Sequence, residues 1–323
     1  MSKIVNSNIN NVMFRGGECD ALYHGANLIW RRGIVEEDDR TNILNVTSTG
    51  STYTFNYNIG TKNIYNSNQD YEIDIDNWEY GYNIFGSSEE AKAISVINKF
   101  PSTKNLITMS TMFNNCINLT YLPSFEITNK CRSISSIFSW CYNLKSIDTS
   151  KWDLSGITEM GMDDAFMECL VENIDLSKCG TPNIITLNQT FNVCGAKKID
   201  ISNLDTSNVT SMVSLFTQSP YLEEINLGEK WDMSKVTNHT NFVAYCRNLT
   251  TIKGKITNLG LKSNSVLGTQ YCPFTNESAM VLINGLAKIN SRQTITFSKE
   301  TYSTLTDEQK KIATDKGWTV ASA

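Results

Sequence analysis

The chain has 323 residues, 40% hydrophobic and 10% aromatic, which is enough for a packed core and excludes a chain disordered along its length. Lys and Arg number 28 against 33 Asp and Glu, a net charge of -5, and no basic run exceeds two residues, so the electrostatic footprint of a nucleic-acid binder is missing. Nowhere do about 18 apolar residues follow one another, and the opening MSKIVNSNIN has no apolar secretion-signal core; the expectation is a soluble protein, made in a cytoplasm and not inserted in a membrane.

In residues 1–33, short apolar runs at 12–14, 19–23 and 28–30 are divided by Gly16, Gly17 and Gly25, which predicts a small three-stranded meander. So short a module holds little core, and burial against a partner would stabilise it. Residues 34–93 open with an acidic run at 36–39 and continue through Tyr53, Phe55, Tyr57 and Ile59, alternating on one face. They predict a β-rich linker domain, or a cap that shields the first coil of the region beginning at residue 94.

Residues 94–256 repeat. A column of Cys116, Cys141, Cys169, Cys194, Ser219 and Cys246 recurs at intervals of 25, 28, 25, 25 and 27 residues, with a phenylalanine three residues before most members and Val243 in that place before Cys246. After each member comes an aliphatic residue in a run of period two: Leu122, Ile147, Ile174, Ile199, Ile225 and Ile252. Before each lies a third column of Leu106, Cys131, Ile157, Ile184, Val209 and Val236. In 209–216 the apolar residues Val209, Met212, Val213 and Phe216 have the spacing of a short helix face. The expected unit is a short strand, a polar turn and a short helix, about 25 residues long. Because one unit cannot bury its own apolar face, units must stack, giving an α/β solenoid of leucine-rich-repeat type. Nine cysteines without a Cys-x-x-Cys pair are expected to be reduced thiols, those of the column forming a ladder rather than disulfides.

Residues 257–323 predict an α+β cap. It has a helix near 278–288, a strand at 294–297, a helix opened by Thr306 with Gln309 as capping partner, a stop at Gly317 and a last strand around 318–320.

The recurrent Ala-Phe-x-x-Cys with its Ile/Leu strand, together with LDTSNVTSM at 204–212, resembles the BspA-like leucine-rich repeats of bacterial surface proteins and phage virion proteins. The segment INNVMFRGG...ALYHGANLIWRR is similar to N-terminal segments of phage tail, fibre and baseplate proteins, and the TDEQ...A..KGW ending accompanies this repeat family. The resemblance implies a virion structural protein that docks to other virion proteins through residues 1–33. The repeats would adhere to a host-surface glycan or protein, in a homo-oligomer as fibres usually are. A bacterial surface adhesin and a polysaccharide-degrading tailspike are the alternatives.

Sites of chemistry are sparse. The two histidines, His24 and His239, have no nucleophile elbow beside them, and phosphate, dinucleotide, zinc and calcium signatures are missing, so no catalytic residue, cofactor or metal is expected. Expectation places His24 in a turn and His239 on an exposed helix face. The lengthened unit carries Glu159, Asp163, Asp164 and Glu168, expected as plain solvated surface, with a cation or glycan contact and a glycosidase pair as the alternatives. Trp140, Tyr142 and Tyr245 flank the cysteine column, with Tyr121 and Tyr221 farther along; they form either an outward aromatic stripe able to stack on sugar or protein, or packing at the coil corners.

Overall fold

The computed structural model describes residues 94–323, apart from 101, 160, 181–182, 261–266 and 291–292; before them it describes residue 92 and the backbone of six strands. Strands β1 (Ala21–His24) and β2 (Asn27–Arg31) form an antiparallel hairpin, with His24 the last residue of β1, opposite Asn27. The third expected run, 12–14, lies outside the described residues. Next come β3 (Ile43–Ser48), the hairpin of β4 (Tyr53–Tyr57) and β5 (Gly60–Ile64), and β6 (Asp70–Asp74). The strand β7 (Ile94–Lys99) pairs with β3, which pairs on its other side with β6. Val96 of β7 also bridges Tyr121 in parallel, and Ile97 donates its N–H to the Tyr121 carbonyl at 3.0 Å. One strand thus joins the antiparallel sheet to the first repeat unit.

The repeat region then runs through β8 (Thr158–Glu159), β9 (Asn173–Asp175), β10 (Asn183–Ile184), β11 (Lys198–Asp200), β12 (Glu224–Asn226), β13 (Trp231–Asp232), β14 (Thr251–Lys253) and β15 (Ile256–Thr257). Strands β9, β11, β12 and β14 form one parallel sheet, which places Ile174, Ile199, Ile225 and Ile252 side by side, all buried. Further short parallel pairings, β8 with β10, β13 with β15 and single bridges, join the coils elsewhere, and the six members of the third column, Leu106 to Val236, are at most 1% exposed. The expected strands at Leu122 and Ile147 do not form. Pro123 has no N–H to give a ladder and holds the first of these places open. After the strands, aspartates turn the chain: Asp175, Asp200, Asp205 and Asp232 each accept the N–H of the serine two residues on, at 2.9–3.0 Å.

The short helix of each unit is absent, and its place is taken by a run of turns. Two residues four apart adopt left-handed backbone in each coil: Thr111 and Asn115, Ser136 and Trp140, Asp164 and Glu168, Gln189 and Val193, Ser214 and Gln218, Asn241 and Tyr245. Alternate N–H groups of the bend point to the next coil. Gln189, Phe191 and Val193 donate to Val213, Leu215 and Thr217 of the next coil at 2.8–2.9 Å, while Asn192 closes a turn on Gln189. Neighbouring coils repeat the scheme. The backbone polar groups of the bend are therefore satisfied between coils, where a helix would satisfy them within one.

Phenylalanines fill the stack. Phe113, Phe138, Phe166, Phe191 and Phe216 are fully buried, with ring centroids 5.3–5.8 Å apart and near-parallel planes. Val243 holds the next backbone position, and the preceding Phe242 supplies the ring, meeting Phe216 edge-on at 5.5 Å.

The C-terminal elements are α1 (Asn276–Gly285), β16 (Gln293–Phe297), α2 (Lys299–Thr304), α3 (Asp307–Thr314) and β17 (Trp318–Ser322). Strands β16 and β17 are parallel neighbours, and α1 lies against β14, β15 and α3. The expected capping box is present: Gln309 N–H donates to Thr306 Oγ1 at 3.2 Å, and Thr306 N–H to Gln309 Oε1 at 2.9 Å. Gly317 takes the left-handed conformation that stops this helix. Helix α2, capped by Ser298, is an addition to the expected set.

Candidate contact surface

The bend at Phe-x-x-Cys explains what faces outward. In the first three coils the cysteine N–H returns to the phenylalanine carbonyl three residues back, from Cys116 to Phe113 and from Cys141 to Phe138 at 3.1 Å and from Cys169 to Phe166 at 3.3 Å. The thiol of the following coil donates to the same kind of carbonyl: Cys141 Sγ to Phe113 O at 3.1 Å and Cys272 Sγ to Val243 O at 2.9 Å. Ser219 is a working substitute, with Oγ donating to Phe191 O at 2.8 Å and accepting the Cys194 N–H at 3.1 Å. The position needs a small buried donor, which is why phenylalanine is paired with cysteine or serine. Cys116, Cys141, Cys169, Cys194, Cys246 and Cys272 are all unbridged and 0% exposed. Burial pushes the Cys194 thiol up to about 12 and that of Cys179, outside the column, up to about 11, so these sulfurs are poor nucleophiles.

With the cysteine turned inward, the residue before it turns out. That column reads Asn115, Trp140, Glu168, Val193, Gln218, Tyr245 and Tyr271. Trp140 is 36% exposed, Tyr142 39% and Tyr245 42%. The predicted single stripe is two patches, because Glu168, Val193 and Gln218 occupy the three coils between Trp140 and Tyr245. In the first patch, Tyr142 crosses to the next coil and donates its hydroxyl to Glu168 Oε2 at 2.6 Å. That bond, then burial and the carboxylate charge, push the phenol up to about 12. In the second, Tyr245 stacks on Tyr271 with centroids 4.1 Å apart and planes 19° from parallel. Tyr271 was missed from sequence, although the pair Tyr-Cys at 245–246 recurs 26 residues on at 271–272. Tyr121 and Tyr221 are exposed but occupy other positions in their coils.

The acidic cluster is not a solvated surface. Asp163 is 6% exposed, and its carboxylate accepts the Asn188 backbone N–H at 2.9 Å and side-chain amide at 3.2 Å. It caps the next coil, as the Asn188 amide oxygen does for Val213 at 3.0 Å. Asp164 sits half-buried in left-handed backbone beside it. Burial raises the pKa of both, and for Asp164 the charge of Asp163 adds to this. Glu168 is engaged by Tyr142, and the side chain of Glu159 lies outside the described residues. Among the described residues no three His, Cys, Asp or Glu side chains gather as metal ligands.

His239 is likewise buried rather than exposed. It occupies the core position held by Met109, Ile134, Met162, Leu187 and Met212 in other coils, with Nε2 2.8 Å from the Gly260 carbonyl oxygen. A shallow depression on another face is lined by Thr158, Asn183, Ile185, Asn208 and Thr210, the outward neighbours of the third column. Among the described residues no helix is long and apolar enough to cross a membrane.

A family model described as "Mycoplasma protein of unknown function, DUF285" matches residues 82–162 and 160–259, spanning the repeat region and agreeing with its BspA-like character. No curated protein matches the sequence. Among solved structures, a leucine-rich repeat protein from Bacteroides ovatus ATCC 8483 aligns over 85% of this chain and 98% of its own, at 14% identity and a TM-score of 0.28.

Proposed function

This chain belongs to the DUF285 family, and we propose that it is a non-enzymatic phage virion structural protein, a fibre, spike or decoration component. Its repeats form a solenoid, closed by a β-rich N-terminal region and an α+β C-terminal cap, that adheres to a host-surface glycan or protein. Residues 1–33 join it to other virion proteins, and the chain works as a homo-oligomer in the particle after assembly in the host cytoplasm. The virion reading rests on the sequence resemblance of residues 1–33 and of the C-terminal ending.

The adhesive reading rests on one observation. Tyr245 lies in a bend tied to the coils on both sides, and stacks outward on Tyr271 of the next, locally closed turn, so rings are presented without the entropy cost of ordering a loop. Aromatic faces of this kind stack on sugar rings or apolar protein surface. Against hydrolysis stands the engagement of Asp163 by Asn188, which leaves that carboxylate no free approach to a substrate. A bacterial cell-surface adhesin with the same repeats is the second reading, and the bacterial source in the family's description favours it.

The test is binding of the labelled full chain to bacterial cells with intact or stripped surface polysaccharide. Saturable binding that is lost with Tyr245→Ala and Tyr271→Ala is expected; binding untouched by both substitutions rejects the adhesive surface. Cryo-EM of phage particles carrying the chain decides between the virion and cell-surface readings.

A further inference from the structure

The buried thiols recur at one position per coil, a regularity that the adhesive reading does not use. Stacked parallel strands lie about 4.8 Å apart, and Cys246 and Cys272 occupy the same position of adjacent coils, each unbridged and 0% exposed. Their sulfurs point the same way: Cys246 Sγ donates to Phe216 O and Cys272 Sγ to Val243 O, carbonyls that are themselves one coil apart. A metal–thiolate bond of about 2.3 Å on each side spans about 4.6 Å, close to the distance between such coils.

We propose that Cys246 and Cys272 form a two-coordinate site for a soft divalent cation of mercuric type. The reaction balances as one Hg2+ and two thiols giving S–Hg–S and two protons released to solvent. Charge and coordination select the ion. Two thiolates neutralise a dication, so the product is uncharged and suits a dry apolar column, whereas a monovalent ion would leave a buried negative charge. Zinc demands four ligands, and the column offers two. Thiolate softness favours the heavier ion. Binding displaces both thiol protons, so loading releases protons to solvent. Serine already fills one place in the column as Ser219, so cysteine-to-serine variants retain the fold.

The experiment titrates the reduced full chain with HgCl2, strips singly held ions with excess monothiol, and counts bound mercury by native mass spectrometry. Cys246→Ser, Cys272→Ser and the double variant are each expected to lose the same single equivalent, because one ion needs both sulfurs. Loss of two equivalents in the double variant, or of none in any, overturns the site. The melting temperature of the full chain is expected to rise with the retained ion, since it binds the folded state; a fall shows capture by unfolded chain and equally overturns it.

Discussion

The coil stack and the C-terminal helices use similar apolar spacing and reach different backbones. In α1 the buried Ser278, Ala279, Leu282 and Ile283 face the core from an ordinary helix capped by Thr275. In 209–216 a comparable spacing yields turns with Ser214 and Gln218 in left-handed conformation. What separates them is where the N–H groups go. A helix carries its acceptors four residues back, whereas the bend finds them in the next coil, about 25 residues away in sequence. Side-chain periodicity is blind to that choice, and only the capping residues announce the true helices.

The difference can be broken at its strongest point first. Phe191→Ala removes a ring stacked on both sides and is expected to destabilise by about 3–5 kcal/mol in denaturant unfolding. Ser219→Ala removes a hydroxyl that serves Phe191 and Cys194; the loss expected is about 1–3 kcal/mol, while Ser219→Cys stays close to wild type. On the helical side, Thr306→Ala dismantles the capping box and should cost about 1 kcal/mol, with faster amide exchange confined to α3.

Two smaller effects sharpen the contrast. Val193 is β-branched and left-handed at φ 53°, while the first coil has Asn115 at the same position, so Val193→Asn should stabilise by about 1 kcal/mol. The same exchange at an exposed helix position would be close to neutral. Asp164→Asn carries a pH signature. The folded pKa of Asp164 is raised, so its favourable contribution is complete below the unfolded carboxylate value and disappears as pH rises through the folded one. The variant is therefore expected to gain stability over the parent at pH 7, by no more than about 1 kcal/mol after solvent screening. That gain should shrink toward pH 3 in parallel melts.

The columns were legible in sequence because a fixed period puts identical chemistry at identical places: the Phe and Cys columns, and the aliphatic column from Ile174 to Ile252, lie where spacing put them. The turn ladder was not, since Val209, Met212 and Phe216 fit a helix face equally well. Of the candidate surface, outward aromatics could be read from an inward cysteine, but Tyr271 lay past the expected end of the repeat at 256. Asp163 misled because a carboxylate in a polar turn looks solvated until its acceptor role toward the Asn188 N–H is seen. His239 misled because nothing local marks a polar residue standing in a core column.

Native-state amide exchange at Gln189, Phe191 and Val193 tests the inter-coil ladder most directly. The account predicts protection approaching that of global unfolding, shared with the matching amides of Ser214, Phe216 and Gln218. Exchange at the rate of an open surface loop would contradict it.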